Sequence, residues 1–312
     1  MDNQKNVRLI TENISKIIVG KDKIIELVTV AMLSGGHVLL EDVPGVGKTT
    51  LANALAASID LGFTRIQFTP DTMPSDVTGM SIYNMSTGKF EFIQGAIMNN
   101  IILADEINRT SPKTQASLLE AMEEGQVTVD GHTYKLPDPF MVIATKNPTE
   151  HLGTYNLPQA QLDRYMLRVS MGYPSMEEEV HMANNYLQQI SVNKLQSVVT
   201  KQEVLHMRNE VTKVNVHKDI IQYIIELVDK TRSNKNISLG ASPRATLSLL
   251  RASQGLAYIR GRDYIVPDDV KYMLPYVLGH RIMLSSEAKM NGRHVKDIMI
   301  EVIGSVKVPL LT

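Results

Sequence analysis

The sequence predicts an α/β fold, an αβα sandwich with a mostly parallel sheet, followed by a second domain made of helices. Short apolar segments of strand length alternate with segments of helical periodicity as far as about Ser170. That order is typical of a parallel sheet covered by helices on both faces. Beyond residues 172–174 (GYP), only helical periodicity recurs. We therefore expect a sandwich domain over residues 1–173 and an all-α domain over residues 174–312.

Each element of this prediction corresponds to one segment of the sequence. The strands of the sheet are predicted over 38–40, 64–68, 100–104, 140–145 and 166–170. The helices of the first domain are predicted over 13–18, 21–33, 49–59 and 113–124. The helices of the second domain are predicted over 176–189, 201–214, 217–233, 243–259, 267–274 and 287–303. Two β-hairpins, over 81–92 and 126–136, interrupt the first domain, and the second contains an Asp-Gly pair that favours a tight turn.

Composition argues against several classes of function. The 312 residues include 32 Lys and Arg against 33 Asp and Glu, so there is no basic excess for nucleic acid or for an anionic membrane. There is no cysteine, which rules out disulfides and thiol chemistry. The longest apolar region, 24–40, is interrupted by Glu26 and by SGGH at 34–37, so it does not predict a membrane span. Because MDNQ at the start lacks the pattern of a signal peptide, we expect a soluble cytoplasmic protein with no nucleic-acid partner and no stable membrane insertion.

A phosphate-binding loop is predicted where the first strand meets the following helix. Residues 42–49 read DVPGVGKT, close to the P-loop pattern G-x-x-x-x-G-K-[ST]. The glycines would let the backbone approach the phosphates, Lys48 would reach the β- and γ-phosphates, and Thr49 would ligate Mg²⁺. Asp42 stands where the pattern has glycine, and we expect it to adopt a turn conformation, since Asp tolerates left-handed backbone. The candidate nucleotide-binding residues here are Pro44, Gly45, Val46, Gly47, Lys48, Thr49 and Thr50.

Polar side chains follow the third and fourth predicted strands. Asp105 and Glu106 come directly after the apolar segment NIILA. Asp105 would hold Mg²⁺ through its water shell, and Glu106 would act as the general base for an attacking water. Asn147 follows the next strand and would orient that water or contact the γ-phosphate, with an ordinary Asn-Pro turn as the alternative. This order predicts a site for nucleotide hydrolysis.

Taken in sequence, these segments resemble the MoxR family of AAA+ ATPases. The match is ordered and runs from about Ile18 to Ile282, so it covers most of the chain. The matching segments are IVGK (18–21), LLEDVPGVGKT (39–49), QFTPDTMPSDVTG (67–79), DEINR (105–109), SPKTQ (111–115), LLEAMEE (118–124), ATKNP (144–148), LPQAQLDR (157–164), GASPR (240–244) and HRI (280–282).

The resemblance implies a role for each hydrolytic residue. Lys48 and Thr49 would form the Walker A pair, and Thr49 would share Mg²⁺ with Asp105. Asp105 and Glu106 would form the Walker B pair, and Asn147 would be the sensor 1 residue. The implied cofactors are ATP, its product ADP, and Mg²⁺.

The resemblance also assigns residues outside the phosphate loop. Arg164 would be the arginine finger that acts on the nucleotide of a neighbouring subunit. Arg244 would be the sensor 2 arginine, reaching from the helical lid to the γ-phosphate. Val19 and Gly20 would lie near the adenine. The two predicted hairpins would be the helix-2 insert and the pre-sensor 1 hairpin, both facing a central pore.

The family resemblance implies an ATP-hydrolysing ring, expected to be a hexamer, because an arginine finger acts only at a subunit interface. Such a ring would remodel or mature protein clients, with a von Willebrand factor A-domain protein as partner, and hydrolysis would rotate the lid against the core. Two alternatives stay open for the same ATPase. One is a motor that acts on DNA, and the other is a nucleotide-gated scaffold with slow turnover.

Overall fold

A computed structural model describes residues 2–43, 45–146 and 155–310. Its strands are β1 (Val38–Glu41), β2 (Phe63–Gln67), β3 (Gly79–Asn84), β4 (Lys89–Gln94), β5 (Ile101–Asp105), β6 (Gln126–Val129), β7 (His132–Lys135), β8 (Met141–Lys146), β9 (Leu167–Val169), β10 (Ile237–Leu239) and β11 (Met283–Leu284). Its helices are α1 (Asp2–Ser15), α2 (Asp22–Leu33), α3 (Lys48–Ile59), α4 (Pro74–Thr78), α5 (Pro112–Glu124), α6 (Gln159–Leu162), α7 (Met176–Leu187), α8 (Lys201–Thr212), α9 (Lys218–Ser233), α10 (Pro243–Ile259), α11 (Pro267–Leu278), α12 (Ser286–Met290) and α13 (Val295–Ser305).

The predicted α/β sandwich is confirmed. Five strands form one sheet in the order β2-β5-β8-β1-β9, and every neighbouring pair is parallel. Their carboxyl ends therefore share one edge of the sheet, and their amino ends share the other. We call these the carboxyl edge and the amino edge. All five strands fall within two residues of the predicted segments.

Successive residues of each central strand pack into different layers. In β1, Val38 and Leu40 belong to one hydrophobic cluster, while Leu39 belongs to a second cluster on the opposite face. The same alternation holds for β5 and β8. Side chains of a strand point to opposite faces in turn, so a strand covered on both sides reads as an uninterrupted apolar run. This is why the predicted strands lacked polar alternation.

Both predicted hairpins are present as antiparallel pairs, β3 with β4 and β6 with β7. Asp130 and Gly131 form the turn of the second hairpin, and both have positive φ, 49° and 78°. That conformation is the one that favoured Asp-Gly in the prediction. The hairpins touch through Phe92 and Tyr134, whose rings stack with centroids 3.8 Å apart.

The first and last predicted helices differ from the structure. Helix α1 begins at Asp2 and ends at Ser15, whereas helix was predicted over 13–18. Its buried residues Val7, Ile10 and Ile14 are few among polar neighbours, so the periodicity was missed. The segment predicted as one helix over 287–303 is two helices, α12 and α13. Gly292 has a φ of 68°, which ends the first of them.

The second domain is helical as predicted, with one exception. Strands β10 and β11 form a small antiparallel sheet, so the domain is not all-α. Neither strand exceeds three residues, which is too short for the period of a strand to be recognised. None of the helices in residues 2–43, 45–146 and 155–310 combines the length and the apolar character that crossing a bilayer requires.

The helical domain shares its core with one layer of the sandwich. Buried residues of α2, α3 and of the helices α8 to α11 belong to a single hydrophobic cluster. The end of α2 is also tied to the second domain by hydrogen bonds. The Arg208 side chain donates to the carbonyl of Met32 at 2.8 Å, and the Ser34 hydroxyl donates to the carbonyl of Arg251 at 3.1 Å. The helical domain therefore packs against the sandwich beside α2.

A buried histidine joins three elements at the amino edge. The Nδ1 atom of His37 accepts from the amide of Val142 at 3.0 Å, and its Nε2 atom lies 3.1 Å from the carbonyl of Met122. A neutral ring with hydrogen on Nε2 satisfies both contacts. Burial lowers the pKa of His37 to about 4, so the ring is neutral at physiological pH.

Acid is expected to destabilise the fold through this histidine. The folded state keeps His37 neutral down to a pKa of about 4, whereas the unfolded chain takes up the proton near the ordinary histidine value of about 6.5. The contribution of His37 to the free energy of unfolding is therefore fully present above about pH 6.5 and is lost as the pH falls from about 6.5 towards 4. We expect protonation of His37 to account for about 2 kcal/mol of the stability lost between about pH 7.5 and pH 5, measured by urea denaturation as the difference between the wild type and a variant without this ring.

The His37→Asn variant removes the titrating ring, so its free energy of unfolding should change less over the same pH range. His132→Asn, which replaces an exposed histidine at the second hairpin, is the matched control and should keep the full loss. An equal acid-induced loss in His37→Asn and in the wild type would contradict this account.

Candidate active site

The loop between β1 and α3 forms an anion-binding cradle. Gly45 and Gly47 have φ values of 85° and 91°, a region that side-chain-bearing residues rarely adopt. Gly47 directly precedes α3, so the free backbone N–H groups and the dipole of that helix face the loop. The Lys48 amine donates to the carbonyls of Asp42 and Val43, at 3.0 and 3.3 Å, and so lies across the loop. These features suit a bound phosphate.

Asp42, the departure from the P-loop pattern, is a buried anchor and not a turn residue. The expected left-handed conformation is wrong, because Asp42 is absent from the described residues with positive φ. Its carboxylate accepts hydrogen bonds from the Ser170 hydroxyl at 2.8 Å, from the amide of Gly172 at 3.0 Å and from the amide of Met171. Asp42 therefore joins the start of the cradle to the chain that follows β9.

Two adjoining cavities meet at this loop. One, of about 340 Å³, is lined by Lys48, Thr49, Asp105 and Glu106 among others. The other, of about 380 Å³, is lined mainly by apolar residues that include Val19 and Val46. Gly45, Gly47 and Thr50 line both cavities. A polar end beside an apolar end matches the phosphates and the base of a nucleotide.

Gly20 supports the apolar cavity without lining it. Its φ of 69° forms the turn between Val19 and Lys21, both of which line that cavity. A Cβ atom at Gly20 would collide with the side chain of Glu178. Glu178 in turn lies 3.3 Å from the Lys21 amine. The left-handed backbone at this turn is the main reason for glycine here, and a larger residue would also displace the Glu178 side chain.

Asp105 lies at the carboxyl edge with its side chain almost fully enclosed. One carboxylate oxygen accepts from the Thr145 hydroxyl at 2.5 Å, and the other lies 2.6 Å from the Arg65 guanidinium. Thr49 and Asp105 line the same cavity. A hydroxyl and a carboxylate, completed by phosphate oxygens and water, are ligands of the kind that Mg²⁺ takes beside nucleotides. The residues present therefore fit the predicted metal ion.

Glu106 is held at a defined angle in the same cavity. Its φ of 56° is left-handed, and its amide donates to the Thr145 hydroxyl at 2.8 Å. One carboxylate oxygen accepts from the side-chain amide of Gln67 and from the Arg109 guanidinium, both at 3.0 Å. Strained backbone of this kind occurs at functional sites. The arrangement aims the carboxylate into the cavity.

Arg65 and Gln67 were not predicted as site residues. They lie on β2, where Gln67 pairs in register with Asp105 of β5. The Gln67 side chain accepts from Arg65 at 2.6 Å and donates to Glu106, so it connects the two acids. The strand prediction contained one usable signal, since polar residues at the carboxyl end of a strand beside β5 must lie near Asp105.

Arg164 and Arg244 lie together, and we call them the arginine pair. The Arg164 guanidinium is 3.0 Å from the Glu123 carboxylate, and the Arg244 guanidinium contacts the other oxygen of the same group. Arg164 also donates to the carbonyl of Leu119. Both arginines remain partly exposed, at 28% and 43% of their side-chain surface.

The arginine pair lies at the amino edge, away from the cradle of its own chain. Leu167 pairs with Val38 at the first residue of each strand, so Arg164 precedes the amino end of β9. Lys48 follows the carboxyl end of β1. Neither arginine lines the cavity that contains Lys48 and Glu106. In this structure Arg244 pairs with Glu123 and does not reach the phosphate cavity of its own chain, and its role at a γ-phosphate stays a prediction.

Two predicted residues, Pro44 and Asn147, fall outside the described residues. Their assignments as loop and sensor 1 residues stay predictions.

Two family models match the chain. A family model described as "ATPase family associated with various cellular activities (AAA)" matches residues 37–167, and one described as "AAA lid domain" matches residues 229–302.

Similar sequences span nearly the whole chain. The chain is 52% identical to the uncharacterized protein YeaC of Bacillus subtilis, over 96% of this chain and 93% of that protein. It is 38% identical to Chaperone MoxR1 of Mycobacterium tuberculosis, over 95% of this chain and 80% of that protein. It is 27% identical to Protein MoxR of Methylorubrum extorquens, over 95% and 93% of the two chains.

A solved structure shares the whole architecture. The crystal structure of a proposed ATPase from Cytophaga hutchinsonii superposes with a TM-score of 0.92 and 39% sequence identity, covering 99% of this chain and 96% of that one.

Proposed function

The chain belongs to the MoxR family of AAA+ ATPases, and on that premise we propose that it hydrolyses ATP at a site completed by a second copy of itself. The cradle, the acids and the apolar cavity of one chain would bind ATP with Mg²⁺. The arginine pair of the next chain would close that site. ADP and phosphate are the products.

The residues at the carboxyl edge divide the chemistry among them. Lys48 binds the β- and γ-phosphates, and Glu106 accepts the proton of the attacking water. Thr49 and Asp105 would hold Mg²⁺, which would supply positive charge to the phosphate oxygens when bound. Gln67 and Arg109 both donate to the Glu106 carboxylate and so fix its orientation. Asn147 is proposed to orient the attacking water.

The location of the arginine pair is the observation that carries the shared-site proposal. The pair lies at the amino edge and the cradle at the carboxyl edge, and four residues of β1 span about 13 Å between the two. A permanently charged guanidinium suits the transition state of phosphoryl transfer, in which negative charge spreads over the γ-oxygens. Without a second chain, this pair would have no phosphate to stabilise.

A site of this kind sets the symmetry of the assembly. The surface with the arginine pair would meet a different surface, the one with the cradle, so the contact is heterologous. Heterologous contacts that close form rings. We propose a homo-oligomeric ring, and a hexamer as the expected size.

The first hairpin is the proposed contact for a protein client. It exposes a large apolar surface for so small an element, formed by Met80, Ile82, Tyr83, Met85, Phe90 and Ile93. Exposed apolar patches of this kind mark interaction surfaces. We propose that hydrolysis moves this hairpin against client proteins, as a chaperone-like remodeller or maturation factor in the cytoplasm, with a von Willebrand factor A-domain protein as adaptor.

Lys48→Ala tests the assignment of the cradle. The variant loses the ammonium that binds the phosphates, so the Kd for ATP should rise at least about tenfold and hydrolysis should fall with it. Binding is measured with a fluorescent ATP analogue, and turnover by phosphate release in the presence of Mg²⁺. Lys289→Ala, an exposed lysine on α12, is the matched control. Undiminished ATP binding by Lys48→Ala would refute the proposed site.

A further inference from the structure

Arg281 is a buried arginine that grips the chain on both sides of Arg164. Only 2% of Arg281 is exposed. Its guanidinium donates to the Asp163 carboxylate at 2.7 Å, and to the backbone carbonyls of Asp163 at 2.9 Å, Tyr165 at 2.8 Å and Met166 at 3.1 Å. These acceptors immediately precede and follow Arg164. The backbone that carries Arg164 is therefore held by a single planar group.

The same carboxylate also holds the start of the helix that carries Arg244. The second oxygen of Asp163 accepts from the Ser242 hydroxyl at 2.7 Å. Ser242 is the N-cap residue of α10, where a serine hydroxyl ordinarily accepts from an amide of its own helix. Here no such capping bond forms, and the hydroxyl is turned towards Asp163. Asp163 thus connects the segment of Arg164 to the helix of Arg244.

Two further contacts support this connection. The Gln159 side chain donates to the carbonyl of His280 at 2.6 Å, and the His280 ring lies 2.9 Å from the carbonyl of Tyr165. Burial lowers the pKa of His280 well below its ordinary value, so the ring is neutral at physiological pH. A neutral ring with hydrogen on Nε2 can donate to that carbonyl. The residues next to Arg281 therefore add to its hold on the same segment.

Burying an arginine in this way is costly, and stability alone does not account for it. Burial lowers the pKa of Arg281, while its hydrogen bond to Asp163 raises it. A buried ion pair is often no more stabilising than apolar residues of the same volume. Four hydrogen bonds of Arg281 reach residues 163–166, and two more hold the guanidinium to Val277 and Ser248 of its own domain, an arrangement suited to positioning.

We propose that Asp163 and Arg281 form a clamp, two positioning residues that hold Arg164 and Arg244 as one rigid unit for delivery to the ATP of the neighbouring chain. This inference rests on the proposed function. It implies that the lid and the segment of Arg164 move together, because Ser242 and Arg281 belong to the helical domain while Asp163 belongs to the sandwich. A lid movement would then withdraw or present both arginines at once.

Asp163→Asn is the direct test, since it keeps the shape of the side chain and removes the charge that pairs with Arg281. We expect kcat to fall about 10- to 100-fold, because small displacements of a reacting group cost that much. The Kd for ATP should stay unchanged, since the cradle lies at the other edge. Ser242→Ala, which removes only the link to α10, should lower kcat by a smaller factor and is a second test that leaves the buried pair intact.

The matched control is Asp269→Asn. Asp269 is fully buried and pairs at 2.6 Å with Arg262, a partly exposed arginine of the helical domain, and no hydrogen bond or ion pair joins either residue to the arginine pair. If Asp163→Asn acted only by loosening the lid, Asp269→Asn would lower kcat equally. Thermal unfolding of both variants shows how far each is destabilised.

Mixing with Lys48→Ala chains separates positioning from damage to the variant's own site. Lys48→Ala chains have a defective cradle and an intact arginine pair, so they should raise the turnover of Asp163→Asn chains several-fold. Wild-type kcat in Asp163→Asn, or no gain on mixing, would overturn the clamp. Full activity of Arg164→Ala would overturn the shared site and the clamp with it, whereas loss in Arg164→Ala with full activity in Asp163→Asn would overturn the clamp alone.

Discussion

Replacing Arg164 by alanine is expected to lower kcat for ATP hydrolysis by about 10³-fold or more, with little change in the Kd for ATP. The reason is positional. Arg164 lies at the amino edge, so it does not contribute to the cradle that binds ATP in its own chain. In the proposed shared site, its guanidinium would stabilise negative charge that develops on the γ-phosphate of the neighbouring chain only during transfer. The measurement is steady-state phosphate release together with equilibrium ATP binding.

Arg293→Ala provides the control for the arginine substitution. Arg293 pairs with Glu301 in the helical domain and has no part in the proposed site. It should keep wild-type turnover. An Arg164→Ala protein that keeps wild-type kcat would show that the arginine pair does not act in hydrolysis.

Replacing Glu106 by glutamine is expected to lower kcat by about 10²- to 10⁴-fold, the usual contribution of a general base. The amide keeps the size of the side chain and can still contact Gln67, but it cannot take the proton of the attacking water. ATP binding should persist, because Lys48 and the cradle are untouched. Single-turnover hydrolysis and ATP binding, measured on the same preparation, separate these two effects.

Glu287→Gln is the matched control, since Glu287 is an exposed acid on α12. The outcome that contradicts the assignment is a Glu106→Gln protein with near wild-type hydrolysis. A loss of ATP binding equal to the loss of turnover would also contradict it, because the residue would then serve binding and not catalysis.

Much of the sandwich could be predicted because its central strands are buried on both faces. Residues 38–40 are apolar without interruption, and β5 and β8 repeat this pattern between other segments of regular periodicity. The cradle could be predicted equally well, since glycines, a lysine and a threonine follow a strand at fixed spacing. Local pattern is sufficient for such features because each depends on neighbours in sequence.

Features that depend on tertiary contacts could not be predicted in this way. Gln67 reaches Glu106 only because β2 pairs with β5, and the order of strands is not visible along the chain. Asp42 was interpreted from its own conformational preference, but its role depends on Ser170 and the amides after it. The clamp at Asp163 likewise joins residues more than 70 positions apart.

The surroundings of Arg244 likewise depend on tertiary contacts that the sequence does not reveal. The motif GASPR identified the residue, and the family resemblance implied that it reaches a γ-phosphate, but neither indicated which side chains surround it. The contact with Glu123 places it beside Arg164. The predicted boundary near residue 173 stays a prediction, and the shared core around α2 shows how closely the two parts pack.

The most direct test of the shared site is to mix two inactive chains. Lys48→Ala has an intact arginine pair and a defective cradle, and Arg164→Ala has the reverse. In a heterologous ring of equal parts, about one interface in four joins an intact cradle to an intact Arg164. The account predicts that the mixture regains up to about a quarter of wild-type turnover. A mixture no more active than its two components measured separately would contradict it.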